Sequence, residues 1–500
     1  MRHRGRVVVF AAEEMIAMSV LAAFAVPHPP LIVPGVGHGR ESGISATVEA
    51  YREVGRRIAA LAPETIVISS PHSTAYLDYL HISGGPGASG TFAQFGDTRD
   101  GSVVEYDEGF VHVLCDAADA EGVAAGTAGE RTPDLDWGVL VPLHFVQEAY
   151  EKARAAGENP APYRVVRIGL SGLSPLEHYR LGMLVQRVAE KLNRRAVYIA
   201  SGDLSHKLTE DGPYGFAPDG PVLDDYACRA FEAGDFLALL TADAGMCERA
   251  AECGLCSFQI MAGALDRTPV DAELLSYEGP FGVGYGVAAF TPTGPAGSDS
   301  ARAFGEQYEA WRMREMEDRR AGESPWVRLA RFSLESYVRD GRHVRGARDL
   351  PDDLAAALPE ELFSMQAGAF VSLKKDGHLR GCIGTILPTR HSLAEEICAN
   401  AISAGCRDPR FNPVEPDELD DLVYDVDVLS EPEDIAGPEA LDPKRYGVIV
   451  SCGGRRGLLL PDLDGVDTVE EQVRIAAQKG GIDPTEPGVT YQRFTVTRHV

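Results

Sequence analysis

Residues 19–30 read SVLAAFAVPHPP, an apolar strand-like run that ends in a histidine held between prolines. Two further runs close in the same way: TIVISSP at 65–71 delivers His72, and AVYIASGDLS at 196–205 delivers His206. In a parallel or mixed α/β sheet the carboxyl ends of the strands line the crevice where ligands bind. Imidazoles brought to one such edge make a metal site or an acid–base site. Pro27, Pro29 and Pro30 stiffen the loop around His28. Gly202 gives the turn before His206 access to unusual backbone angles.

Working outward, stretches with helical spacing at 45–61, 140–155 and 175–193 precede strand-like runs at 65–70, 164–170 and 196–200. This alternation predicts an α/β N-terminal domain with a largely parallel central sheet over 18–292. Segments 274–277 and 282–290 read as closing strands around a glycine-rich stretch. Composition then shifts to TPTGPAGSDS at 291–300, followed by a charged segment at 301–320 that reads as a solvated helix. We take 293–324 as the linker. A smaller α+β C-terminal domain is expected over 325–500, with helices at 326–338, 393–404 and 469–478. Its strands are expected at 369–373, 421–429, 448–451 and 457–460. Residues 1–17 read as an N-terminal extension: basic residues precede an apolar run, but Glu13 and Glu14 interrupt it. Met18 is an alternative start.

At 500 residues, 44% apolar and a mean hydropathy of -0.12, the chain has material for full cores. A net charge of -28 argues against a nucleic-acid surface, which needs clustered Lys and Arg, and against anionic lipid. No stretch is long and apolar enough to span a membrane. Nine scattered cysteines point to a reducing, cytoplasmic setting rather than a disulfide framework. The oligomeric state is not legible.

A third ligand for His28 and His72 is offered by Ala251-Glu252-Cys253-Gly254. Two histidines and a carboxylate suit non-haem Fe(II), whereas a thiolate leans towards Zn(II) or a softer metal. Spacing leaves Glu252 and Cys253 as alternatives. Cys247, Cys253 and Cys256 do not have a common iron–sulfur spacing. A single CxxC is weak support for thioredoxin-like chemistry. The other N-terminal histidines lack a strand-end setting. In the C-terminal part, LRGCIG at 379–384 places glycines around Cys382, a mark of a sharp turn or a close backbone approach. Arg380, Cys382, Asp408 and Arg410 are groove candidates, the arginines for gripping an anion. The plainer reading is that they pair with carboxylates to fix turns.

Residues 19–292 resemble the class III extradiol dioxygenase catalytic-subunit superfamily, which includes Memo-like proteins. The resemblance rests on VPHPPLIVPGVG at 26–37, SPHS at 70–73, SGDLSH at 201–206 and AECG at 251–254. It implies that His28 and His72 are metal ligands and His206 an acid–base residue. It also implies a third ligand that is acidic in the dioxygenases and cysteine in Memo-like members. Fe(II) is the leading cofactor, with Zn(II) or another divalent ion as the alternative, and the substrate would be a dihydroxy-aromatic or similar chelating molecule. Asp136-Trp137-Gly138 stands where many relatives carry Asp-His-Gly, which removes a polar pocket residue. LRGCIG, DPRF at 408–411 and GLLLPD at 457–462 resemble the AMMECR domain family across most of 325–498. The fused order resembles the protein A family of the bacterial AmmeMemoRadiSam system. That implies a cytoplasmic protein working alongside a radical SAM enzyme.

Overall fold

Strand β1 (Val20–Val26) is buried along its whole length, as are β2 (Thr65–Ser70) and β4 (Ala196–Ser201). These continuous apolar runs belong to parallel strands covered on both faces. The computed structural model describes residues 19–129, 134–375, 377–463 and 465–500. The N-terminal extension expected at 1–17 lies outside them. With β3 (Arg164–Gly169), β5 (Val270–Glu278) and β6 (Tyr285–Pro292), the large sheet has the order β3-β2-β4-β1-β6-β5. The pairs β3/β2, β2/β4 and β4/β1 are parallel, and β6 joins antiparallel to β1 and β5. The N-terminal domain is therefore α/β with a largely parallel sheet, closed at one edge by a hairpin.

Alternate residues of β1 face two different cores. Val20, Ala23 and Ala25 belong to one, while Leu21, Phe24 and Val26 belong to the other. Helices α1 (Ser45–Leu61) and α2 (Trp137–Ala155) pack together on the second side. Helices α3 (Pro175–Lys191) and α4 (Leu255–Ala264) pack together on the first. Ser174 and Glu177 form a reciprocal capping box at the start of α3, which fixes where that helix begins.

The chain divides into two compact units, one ending at Arg312 and the other beginning at Met313, inside α5 (Phe304–Gly322). Phe304 and Tyr308 of α5 are buried in the first unit's core, so this end of the helix is not the solvated connector that its charge suggests.

The second unit is α+β. Its helices are α6 (Pro325–Asp340), α7 (Leu393–Cys406) and α8 (Val469–Lys479). One sheet has the order β8-β7-β9-β14, from β7 (Ala369–Lys375), β8 (His378–Gly384), β9 (Val423–Leu429) and β14 (Val496–His499). The other has the order β10-β13-β11-β12, from β10 (Glu433–Ile435), β11 (Gly447–Cys452), β12 (Arg455–Leu459) and β13 (Thr490–Phe494). All pairs in both sheets are antiparallel. The LRGCIG segment is strand β8 rather than a turn. Its Gly381 is needed for close approach, because a Cβ there would lie 2.2 Å from the Ala404 carbonyl oxygen of α7.

Candidate metal centre

Strands β2, β4 and β1 are parallel neighbours, so their carboxyl ends share one edge. His28, His72 and the turn 201–206 leave from that edge. A fourth element, the turn before α4, reaches the same place because two glycines touch: a Cβ on Gly202 would lie 2.1 Å from Gly254 Cα. This contact brings Cys253 beside the histidines.

The Nε2 atoms of His28 and His72 are 3.0 Å apart, and Cys253 Sγ is 3.7 Å from His28 Nε2. His28, His72 and Cys253 each point one ligand atom into a common volume, as do Asp203, His206 and Cys253. An ion about 2.0–2.3 Å from nitrogen and sulfur donors spans such separations, so the residues present fit a transition metal. Glu252 is not in either group. Its carboxylate turns back and accepts the Leu255 N–H at 2.7 Å, at the start of α4.

His28 is almost fully buried, with Nδ1 3.1 Å from Ser201 Oγ and its backbone N–H donating to Asp203 Oδ1 at 2.8 Å. Tyr51 donates its hydroxyl to the Pro27 carbonyl next to it. His72 is held from below. Ser70 and Ser73 both donate to Asp136, at 2.6 and 2.8 Å, and Arg167 pairs with the same carboxylate at 2.7 Å. The Arg167–Asp136 pair is buried, with side chains only 1% and 7% exposed. Trp137 stacks on the His72 ring at 3.8 Å between centroids, and a cavity of about 840 Å³ opens beside these two residues. His206 lies with Nε2 3.8 Å from Asp203 Oδ2, and Tyr214 stacks on its ring.

Burial dominates the electrostatics. It pulls His28 down to about 4 against the opposing charge of Asp136, and His72 down to about 4 with help from His28. Burial also lowers His206, with Asp203 opposing. All three imidazoles are therefore neutral at neutral pH, with lone pairs available to an ion or a proton. Burial raises Asp203 to about 6, and it raises the Cys253 thiol well above its usual value, with the Asp203 and Glu252 charges adding to it. A thiol in that state gives up its proton when a cation binds. For Asp136 burial pushes upward, but Arg167 and the two serine hydroxyls outweigh it and hold the carboxyl below its ordinary value.

Asp203, Ser201 and Asp136 were not singled out by sequence reasoning. Asp203 and Ser201 stand within SGDLSH itself, so the strand-end position that drew attention to His206 applies to them equally. Two other histidines are engaged away from the site. His144 Nδ1 pairs with Asp100 at 2.9 Å, and the buried His178 binds the Ser174 carbonyl at 3.0 Å.

The C-terminal candidates come together as a set of tied side chains. Arg380 forks onto Glu418 at 2.8 and 3.0 Å and donates to the Asn412 carbonyl. Arg410 forks onto Asp408 at 2.6 and 2.9 Å, and Asp408 also accepts the Cys382 N–H at 2.9 Å. Both guanidinium groups lie near the Phe411 ring. Ser372 donates to Cys382 Sγ at 3.2 Å. These pairings fix β8 and the loop after α7, and they engage the charges that would grip an anion.

Residues 22–288 match the family described as the catalytic LigB subunit of aromatic ring-opening dioxygenase, and residues 327–499 match the AMMECR1 family. Protein CA_C1420 of Clostridium acetobutylicum is 40% identical over 489 residues, covering 96% of this chain and 99% of that protein. A Thermotoga maritima protein is 56% identical over 179 residues, which is 36% of this chain and 98% of that protein. The crystal structure of PH0010 from Pyrococcus horikoshii is 33% identical, with a TM-score of 0.32, over 35% of this chain and 89% of that chain. With both domain families matched in this order, and a relative similar from end to end, the chain belongs to the family that joins an extradiol-dioxygenase-like (LigB, Memo-like) domain to a C-terminal AMMECR1 domain.

Proposed function

We propose that the N-terminal domain binds one transition-metal ion through His28 Nε2, His72 Nε2 and Cys253 Sγ and works as an oxidoreductase on a chelating, dihydroxy-aromatic type of substrate. The observation that carries this is the convergence of two imidazole nitrogens and one thiol at 3.0 and 3.7 Å. Fe(II) is the ion this chemistry calls for, while the thiolate also suits Zn(II). Such an ion supplies a Lewis acid for the chelating oxygens and a route for electrons.

The side chains do the rest. Asp203 and His206 form a second group of potential ligand atoms that shares Cys253 with the first. His206, neutral at physiological pH, accepts a substrate proton at Nε2 and returns it later. Asp203, 3.8 Å from that nitrogen, favours the imidazolium while it lasts. The cavity beside Trp137 is within the range that holds small molecules. Oxygen uptake by the Fe(II)-loaded protein with a panel of catechols tests the reading. Catechol-dependent uptake that disappears in His206→Ala supports it, and metal-loaded protein that consumes no oxygen with any catechol counts against it.

A second reading has its own observation. Trp137 covers one face of His72, and the side chain beside the two histidines is the Cys253 thiol rather than the Glu252 carboxylate. Both features suit a metalloprotein that presents its ion, in the cytoplasm, to a radical SAM partner without catalysing ring cleavage.

A further inference from the structure

The turn Ser201-Gly202-Asp203 supplies no donor to the proposed His28–His72–Cys253 set, yet it touches two of its three members. Ser201 Oγ is 3.1 Å from His28 Nδ1. The Asp203 carboxylate holds the His28 backbone N–H, and the Asp203 N–H donates to Cys253 Sγ at 3.3 Å. The Cys253 N–H returns to the Asp203 carbonyl at 3.4 Å. Gly202 permits this proximity by lying directly on Gly254.

We infer that Ser201 is the positioning residue that supports the metal-binding tautomer of His28, its hydroxyl accepting the Nδ1 hydrogen which that tautomer carries. A neutral imidazole carries its proton on one nitrogen only. Nε2 of His28 offers a lone pair to an ion only when Nδ1 bears the hydrogen, and that hydrogen then needs an acceptor. Ser201 is completely buried, as His28 nearly is, so water does not substitute for the hydroxyl. In the ion-free protein the 3.0 Å contact between the two Nε2 atoms requires a proton on one of them. With the proton on His28, Nδ1 accepts from Ser201; with the proton on His72, Nδ1 donates to it. A hydroxyl serves both states because it donates and accepts, which lets the ion displace that proton without stranding a buried nitrogen. Partners of this kind behind a ligating histidine commonly change metal affinity by about 10–100-fold.

This inference rests on the metal reading above, and the experiment separates the two. The full-length chain, stripped of metal, is titrated anaerobically with Co(II) against a competing chelator, following the thiolate-to-cobalt absorption. The variants are Ser201→Ala and Ser201→Thr, with thermal melting of each ion-free protein as a check on folding. The expected result is about a 10–100-fold weaker dissociation constant for Ser201→Ala, near-wild-type binding for Ser201→Thr, and retained folding in both. An unchanged constant in Ser201→Ala, or equal weakening in Ser201→Thr, overturns the role of the hydroxyl and leaves the metal site standing. A wild-type chain that binds no Co(II) overturns the metal reading and this inference with it.

Discussion

Cys253 Sγ and the Glu252 carboxylate leave neighbouring residues in different directions, one towards His28 and the other back onto the Leu255 N–H. The cause is local: Ala251 takes a left-handed conformation, with φ 56°, at the end of the short helix before them. An alanine gives no sign of that in a sequence, so spacing left the two residues as equals. Cys253→Ala is expected to lose the bound ion. Glu252→Ala is expected to keep it and to cost about 1 kcal/mol, the worth of a helix-capping hydrogen bond, in a denaturant titration. The opposite pattern of metal retention would reverse the assignment. Beneath His72, the Arg167–Asp136 pair is buried and shared with Ser70 and Ser73. Asp136→Asn removes the carboxylate charge shared by this guanidinium and the two serine hydroxyls and is expected to destabilise the fold by about 3–5 kcal/mol. Urea unfolding measures this, and a change well below that range would mean the pair is solvated in solution.

The elements that position the site were legible because parallel strands buried on both faces are continuously apolar. The helix expected at 45–61 and the strand at 65–70 coincide with α1 and β2. By contrast, β8 is half-exposed and its strand character is masked by two glycines, which in the sequence mark either a sharp turn or a close backbone approach; Gly381 makes the close approach, to α7. The small ladder of Gly87–Thr91 with Gly101–Glu105, which lines the cavity, is too rich in small residues to show a strand pattern. The Gly202–Gly254 contact has no sequence signature, although it joins two turns of the site. Gly202→Ala is expected to destabilise the protein by about 1–3 kcal/mol through overpacking and to weaken metal binding as the turns separate. Full metal affinity in that variant would show that the turns are not coupled.

In the second unit, β8 is tied to Glu418. Burial alone would raise this carboxyl, but Arg380 outweighs burial and brings it from 4.5 down to about 2. A folded value below the unfolded one means the contribution is complete above about pH 4.5 and is lost as pH falls towards 2. Glu418→Gln is expected to flatten that part of the stability profile, with little change in its slope above pH 5. A mutant profile that parallels the wild type through the acid range would contradict this.

Over the whole molecule, the two domains and their order were legible from motifs, and the division at Arg312/Met313 falls within the segment 293–324 read as the linker, whereas the anchoring of that segment's helix was not legible. Helix α5 looks uniformly charged, but Phe304 and Tyr308 anchor its beginning in the first unit. The acidic surface, with a net charge of -28, carried no information about the site, which lies among buried groups. Among the described residues no helix is long and apolar enough to cross a membrane. Everything proposed for the N-terminal domain depends on one ion being held by His28, His72 and Cys253. The most direct test is metal analysis of anaerobically purified wild type beside His72→Ala. The account predicts one tightly held ion per chain in the wild type and essentially none in the variant. Equal metal content in the two proteins would contradict it.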